Sequence, residues 1–312
     1  MSSLYVPQPF GDAYDGSPNY DGTTVVLGVT PSAGVYTLAN NIICDVLTVR
    51  SGVRLAVGQF VIIARRIVVE PNAFISANGN SAAGVTGGAA ITAAAYTGFV
   101  SGSGGNGASR TTVGQTNGAA GGGSGGSSMG GTGGAAGFSG AATPGAGNTS
   151  VPPTLSLFKA WRTPGYALSD WRMPATGSNT SYSALNGGGG GGGGGVQLTV
   201  ASGVEVLSSG GGGGGAGAVY FRCGVLDSQG TIEARGGSGA NAVVGVGVSG
   251  FAGGGGGGAG GAIHGYIGQF YRAGTITVAG GAGGTGIGSP TRHNGVMGGP
   301  GTLCLFVNGE AI

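Results

Sequence analysis

The chain has 312 residues, 80 of them glycine, with only 7% charged residues and a net charge of +2. Glycine this far above its usual ~7% share leaves little side-chain chemistry, and so small a positive charge excludes electrostatic capture of nucleic acid. Disordered chains pair low hydropathy with high charge; this one is mildly apolar, with a mean hydropathy of +0.25, and no strict G-X-Y period makes it collagen.

Residues 1–40 stand apart as an arm, with Tyr5, Phe10, Tyr14, Tyr20 and Tyr36 among prolines and the turn pairs Asp15-Gly16 and Asp21-Gly22. An extended arm of this kind either lies across another protein or caps its own domain. The opening residues have no basic start followed by an apolar core, so no signal peptide is expected. No apolar run is long enough to span a bilayer, since FVIIARRIVVE is broken by Arg65 and Arg66.

Residues 41–312 read as one glycine-rich β domain. In 41–79, Val53 and Leu55 alternate with Arg54, and Ile75 and Ala77 alternate with Ser76 and Asn78. Period-two alternation marks half-buried strands. The run from Phe60 to Ile63 is continuously apolar, as in a strand covered on both faces.

Internal repetition is the most informative feature. LTVRSGVRL at 47–55 matches LTVASGVEV at 198–206. Ile62 and Ile75 have the same 13-residue separation as Val219 and Ile232, and as Ile263 and Ile276. Each copy ends on an isoleucine and a second inward residue: Ile75 and Ala77, Ile232 and Ala234, Ile276 and Val278. Short strands that cannot bury a face alone must stack, so the expected class is all-β, a repeat-built β-solenoid or sandwich. TLCLFV at 302–307 closes the stack. Glycine tracts follow each copy, including nine consecutive glycines from Gly187 to Gly195. As linkers they would be slack; as polyglycine-II-like strands they would satisfy each other's N–H and C=O groups. The second is the favoured expectation.

An insert at 148–186 interrupts the glycine. It holds both tryptophans and the only lysine, with WRTP at 161–164 echoed by WRMP at 171–174. Trp and Arg dominate binding hot spots, so Trp161, Arg162, Trp171 and Arg172 are the candidate contact residues. The competing reading is a satellite core pinning a long loop.

Catalytic chemistry is poorly represented. Glu70 and Asp227 sit at matching repeat positions, and paired carboxylates cleave glycosides, but both occur in turn contexts. Arg54 and Glu205 also match and would form an exposed pair of little worth. His264 and His293 have no neighbouring ligand pattern, and Cys44, Cys223 and Cys304 have no metal or disulfide spacing. No catalytic residue, metal or cofactor is expected.

The order FGDAYDGSPNYDGTT, then YTLANNIICDVLTVRSGVRLAVGQFVIIARRIVVEPNAFISANGN, then long glycine tracts, resembles glycine-rich bacteriophage virion proteins. The long glycine runs are also similar to the polyglycine-II sandwich of phage tail-fibre adhesins. The resemblance implies a virion structural protein assembled in the host cytoplasm, at a tail fibre or tail tip, that adheres to a bacterial surface receptor, protein or glycan. It implies receptor-facing loops among 89–116, 148–186 and 241–250. Tyr5, Phe10, Tyr14 and Tyr20 of the arm would dock onto other virion proteins. A capsid decoration or head fibre without receptor binding is the alternative. The resemblance allows a homotrimer, though no coiled-coil heptads specify three chains.

Overall fold

A computed structural model describes residues 14–58, 60–91, 101–110, 116–117, 188, 190–200, 207–244, 249–288, 293–308 and 310–311. The described residues contain eighteen strands and no helix.

Seven strands form the largest sheet: β1 (Asn19–Tyr20), β3 (Ile42–Val49), β5 (Val61–Val69), β11 (Ala218–Ser228), β15 (Ala262–Arg272), β17 (Thr302–Val307) and β18 (Glu310–Ala311), in that spatial order. All pairs are parallel except β17 with β18. The central strands β5 and β11 open on apolar residues that are buried on both faces, Val61 with Ile62 and Ala218 to Phe221, while further along β5 Arg65 and Arg66 are exposed. Five strands of three residues each form a second, wholly parallel sheet: β2 (Val35–Thr37), β4 (Arg54–Ala56), β6 (Phe74–Ser76), β12 (Thr231–Glu233) and β16 (Thr275–Thr277).

The chain steps from the long-strand sheet to the short-strand sheet at β3–β4, β5–β6, β11–β12 and β15–β16. Tight turns make each step. Gly52 and Asn72 hold left-handed backbone in two of them, at φ 77° and 60°. One core draws on both sheets: Leu47, Ile67, Leu226 and Ile267 from the long strands, Leu55, Ile75 and Ile232 from the short ones. In-register ladders build it, Leu47–Ile67–Leu226 in one sheet and Leu55–Ile75–Ile232–Ile276 in the other. Each fully buried Leu or Ile contributes about 1.5–3 kcal/mol.

Residues 20–37 cap this core at its β1/β2 end. Tyr20 and Tyr36 are fully buried with their rings edge-on at 4.9 Å. The Tyr36 hydroxyl donates to the Thr24 carbonyl (2.8 Å) and accepts from the Gly22 N–H (3.1 Å).

The expected class, a repeat-built solenoid or sandwich with polyglycine-II-like strands, is corrected by this topology. The described residues form four open sheets, two of them mainly parallel, and no barrel closes. The glycine tracts belong to none of the four. The physical reason is that sheet register is held by cross-strand side-chain pairs, which glycine cannot make. Strands with side chains therefore sort into sheets, and the glycine collects elsewhere.

The repeats also differ in detail. Ile75, Ile232 and Ile276 are in register, and Val219 pairs with Ile263. Ile62, however, pairs with Phe221, two residues past Val219. The offset is absorbed in the turns, which run through Glu70–Ala73 in one copy and Gln229–Gly230 in the other. LTVRSGVRL lies in β3 and β4, while its match begins in a small antiparallel sheet; residues 201–206 of that match lie outside the described residues. Ser76 and Glu233, which alternate in sequence with the inward-facing residues and so would face outward, are buried at 2% and 4% exposure.

The tracts bond in three directions. Along residues 209–217 the backbone donors turn by a third of a circle per residue. Ser209, Gly212 and Gly215 donate to Ala108, Gly105 and Gly102. Gly210, Gly213 and Ala216 donate to Gly253, Gly256 and Ala259, and Gly211, Gly214 and Gly217 donate to Gly84, Asn80 and Ala77. These nine bonds measure 2.7–3.0 Å. The same tract accepts from Gly188, Gly191 and Gly194, from Gly237 and Ala240, and from Gly88. At Gly210 to Gly214 no Cβ fits: one added at Gly212 would run into the Gly191 carbonyl, and one at Gly255, on a neighbouring tract, into that of Gly211. Side chains return with period three on outer tracts, where Arg235, Ser238 and Asn241, and Ala279, Ala282 and Thr285, are exposed.

Candidate functional site

The glycine block has two unlike ends. At one, Ala77, Gly217, Ala234 and Gly261 lead directly into or out of the large sheets. At the other lie two small antiparallel sheets. One orders β13 (Val243–Val244), β10 (Leu207–Ser208) and β7 (Ser109–Arg110); the other orders β14 (Ser249–Ala252), β9 (Val196–Val200) and β8 (Thr116–Asn117).

A plug of Val196, Leu207, Ala242 and Ala252, with Ala108 and Ile287 against it, seats these sheets on the block. The Ser209 hydroxyl, which is buried, accepts from the Ala108 N–H (2.8 Å) and donates to the Gly194 carbonyl (2.5 Å). Four short connections, 111–115, 201–206, 245–248 and 289–292, have both flanks in or beside these two sheets. Val243 and Val244 are 57% and 42% exposed there, and the Phe251 and His293 rings meet edge-on at 6.5 Å.

Of the loop ranges implied by resemblance, the described residues of 241–250 belong to this end. The described residues of 89–116 lie at both ends: Ile91 accepts from Ser101 beside Gly217, whereas Ser109 pairs with Ser208. Trp161, Arg162, Trp171 and Arg172 lie outside the described residues, as do Tyr5 and Phe10. Tyr14 is 86% exposed, while Tyr20 is spent on the core. Val243 and Val244 were not singled out from sequence, because two valines beside glycine read as one more strand fragment.

Asp15, Asp21, Asp45, Glu70, Asp227 and Glu233 are all engaged. Asp227 is buried and bound by Arg66 and Arg272, each at 2.6 Å. Glu233 is bound by Arg54 (2.5 Å), Asn78 (2.6 Å) and Arg235 (3.3 Å). Glu70 accepts from Arg50 and from the Ser51 N–H. The hydrogen bond from Arg272 leads in holding the Asp227 carboxyl below its ordinary range, and that from Ser51 leads for Glu70. Asp227 lies opposite Val68, so the repeat does not set it against Glu70 as an acid–base pair. Arg54, matched to Glu205 in sequence, pairs with Glu233; Glu205 lies outside the described residues.

No family model, curated protein or solved structure matches the chain.

The face of the large sheet opposite the core carries a titratable row in register: Tyr220, His264 and Cys304. Burial pulls the His264 imidazole down to about 4 and pushes the Cys304 thiol up to about 11. Burial likewise lifts Cys44 and Cys223 to about 12. The signs differ at the two ends of the pH scale. Below 6.5, the ordinary histidine value, the unfolded chain takes a proton that folded His264 refuses until about 4, so stability falls across that window. Above 9, the ordinary thiol value, unfolded cysteines ionise while folded ones do not until about 11 to 12, so stability falls again. Thermal melts across pH are expected to show a plateau between 6.5 and 9 with losses on both sides. A His264→Gln protein should lose less on the acid side.

Proposed function

We propose that the chain is a structural protein of a bacteriophage particle, placed at the distal end of a tail fibre or spike, where it adheres to the host surface. One arrangement carries the reading: the described flanks of four short connections gather at a single end of a block held by backbone bonds in three directions, with the parallel sheets at the other end. Binding loops work best on a scaffold that does not deform, and this block has almost no side-chain rotamers to lose. Glu70 and Asp227, whose carboxyls are held below their ordinary range by arginine and backbone donors, suit a scaffold better than a general acid.

In this reading the loop end meets the receptor, with Val243 and Val244 at its surface. Trp161, Arg162, Trp171 and Arg172 supply contacts from the insert. The arm, through Tyr5, Phe10 and exposed Tyr14, joins other virion proteins, while Tyr20 anchors its base in the core.

Fluorescently labelled protein is expected to bind cells of the strain that the particle infects. Trp161→Ala with Trp171→Ala, and separately Val243→Asp with Val244→Asp, are each expected to weaken that binding by about tenfold or more. Unchanged binding in both double variants would remove the adhesion reading. Antibody labelling on whole particles is expected at the tail end, and labelling on the head would remove that placement.

A further inference from the structure

Asn78, Asn106, Asn117, Asn186, Asn294 and Asn308 are each followed by glycine in the sequence. Such a pair is open to a reaction of the chain with itself. Without a Cβ on the second residue, its backbone nitrogen can close on the asparagine side-chain carbonyl. Both groups must be free for that to happen.

In the glycine block neither is free. The Asn78 side-chain carbonyl accepts from the Arg235 N–H (2.9 Å), that of Asn106 from Gly87 (2.8 Å) and that of Asn294 from Gly286 (3.0 Å). The nitrogens that would attack are held as well. Gly79 donates to the Arg235 carbonyl, Gly107 to that of Val85 and Gly295 to that of Gly284, at 2.7–2.8 Å. Asn106 and Asn294 are exposed and Asn78 is half-buried, so it is bonding and not burial that restrains them. Reaction there requires breaking two bonds that tie one tract to the next.

Asn308 is placed differently. It is exposed in the turn between β17 and β18, where Val307 pairs with Glu310. Its φ of 51° is the left-handed backbone that asparagine adopts before glycine in a two-residue hairpin. Its own N–H donates to the Ile267 carbonyl (3.0 Å), but among the described residues no hydrogen bond holds its side-chain amide. β18 is tied to β17 through the pairs Phe306–Ala311 and Val307–Glu310, so the turn opens at low cost.

We propose that Asn308 is a self-modifying site, which loses its side-chain amide to become aspartate or isoaspartate while the asparagines of the block keep theirs. The Gly309 nitrogen attacks the Asn308 side-chain carbonyl carbon. A C–N bond forms, the bond to the side-chain nitrogen breaks, and ammonia leaves carrying the Gly309 proton. Water then opens the cyclic imide at either carbonyl, and the new carboxyl gives its proton to solvent. No oxidant or reductant takes part. Opening on the main-chain side routes the backbone through the side chain and adds one carbon to the turn. Turn length fixes the register of a hairpin, so the lengthened turn releases β18. Both products also place a negative charge two residues from Glu310.

The full chain, aged in mildly alkaline buffer and digested for mass spectrometry, reports each asparagine separately. Loss of the amide at Asn308 is expected at least about tenfold faster than at Asn78, Asn106 or Asn294, the ratio that ~1.4 kcal/mol of extra opening cost gives. In denaturant the four rates should agree within about threefold, since all four precede glycine. If Asn308 is no faster in the folded protein, or keeps the same lead in denaturant, the proposal is overturned. Ageing should also speed amide exchange in β18 in proportion to the isoaspartate formed. Asn308→Gly keeps the left-handed turn and has no amide to lose, so its β18 should not change with age. Equal loosening of β18 in that variant overturns the link between the reaction and the strand.

Discussion

Replacing Gly212 by alanine is expected to destabilise the protein by at least about 4 kcal/mol, at the top of the range for single substitutions. The new methyl would collide with the Gly191 carbonyl, which is backbone and cannot rotate away. Relief requires moving a tract whose groups bond to 101–108, 253–259 and 77–84 as donors and to 188–194, 237–240 and Gly88 as acceptors. Each hydrogen bond broken costs about 1 kcal/mol, and a shift of the tract breaks several together. Ser238→Ala, on an exposed perimeter position, is expected to change stability by no more than about 0.5 kcal/mol. Denaturant unfolding of the two variants measures both. Equal stability would mean that the tracts are not close-packed.

The second large effect concerns Asp227. Its side chain is 2% exposed, whereas those of Arg66 and Arg272 are 47% and 43% exposed. The asymmetry decides which deletion hurts. Without the carboxylate, the two arginines hydrate where they stand. Without both arginines, a buried carboxylate is left unpaired, which costs about 3–5 kcal/mol. Arg66→Met with Arg272→Met is therefore expected to lose about that much. Adding Asp227→Asn should restore part of it, a non-additivity that only coupled groups show. Simple addition of the separate losses would mean that the three groups are independent.

Much of the strand content could be read from residue order, because alternation and β-branching report burial directly. Ile75, Ile232 and Ile276 announced their common ladder, and the arrangement agrees. Ile62 with Val219 misled, because equal spacing in sequence says nothing about how many residues a turn absorbs. LTVASGVEV misled in another way: the same apolar pattern suits a parallel strand or a small antiparallel one, and its neighbours decided. The class was misjudged for a related reason. Periodicity identifies strands but not how sheets divide. Glu233 could not be recognised as buried, since its partners Arg54 and Asn78 are more than 150 residues away in sequence. The loop end was only partly legible. Its position depends on the direction in which each glycine tract runs, and glycine carries no mark of direction.

The glycine block also sets how the protein responds to temperature. The heat capacity change of unfolding rises with apolar surface exposed and falls with polar surface exposed, averaging about 12–15 cal/mol/K per residue. Tracts such as 190–195 and 210–215 are buried but release almost only backbone amide surface when they open. That part of the molecule contributes little or negative heat capacity, so its stability curve is shallow. The sheets with their isoleucine ladders lose hydrophobic strength on cooling; the block does not depend on that strength. In the cold, the scaffold beneath the loops outlasts the core beside it.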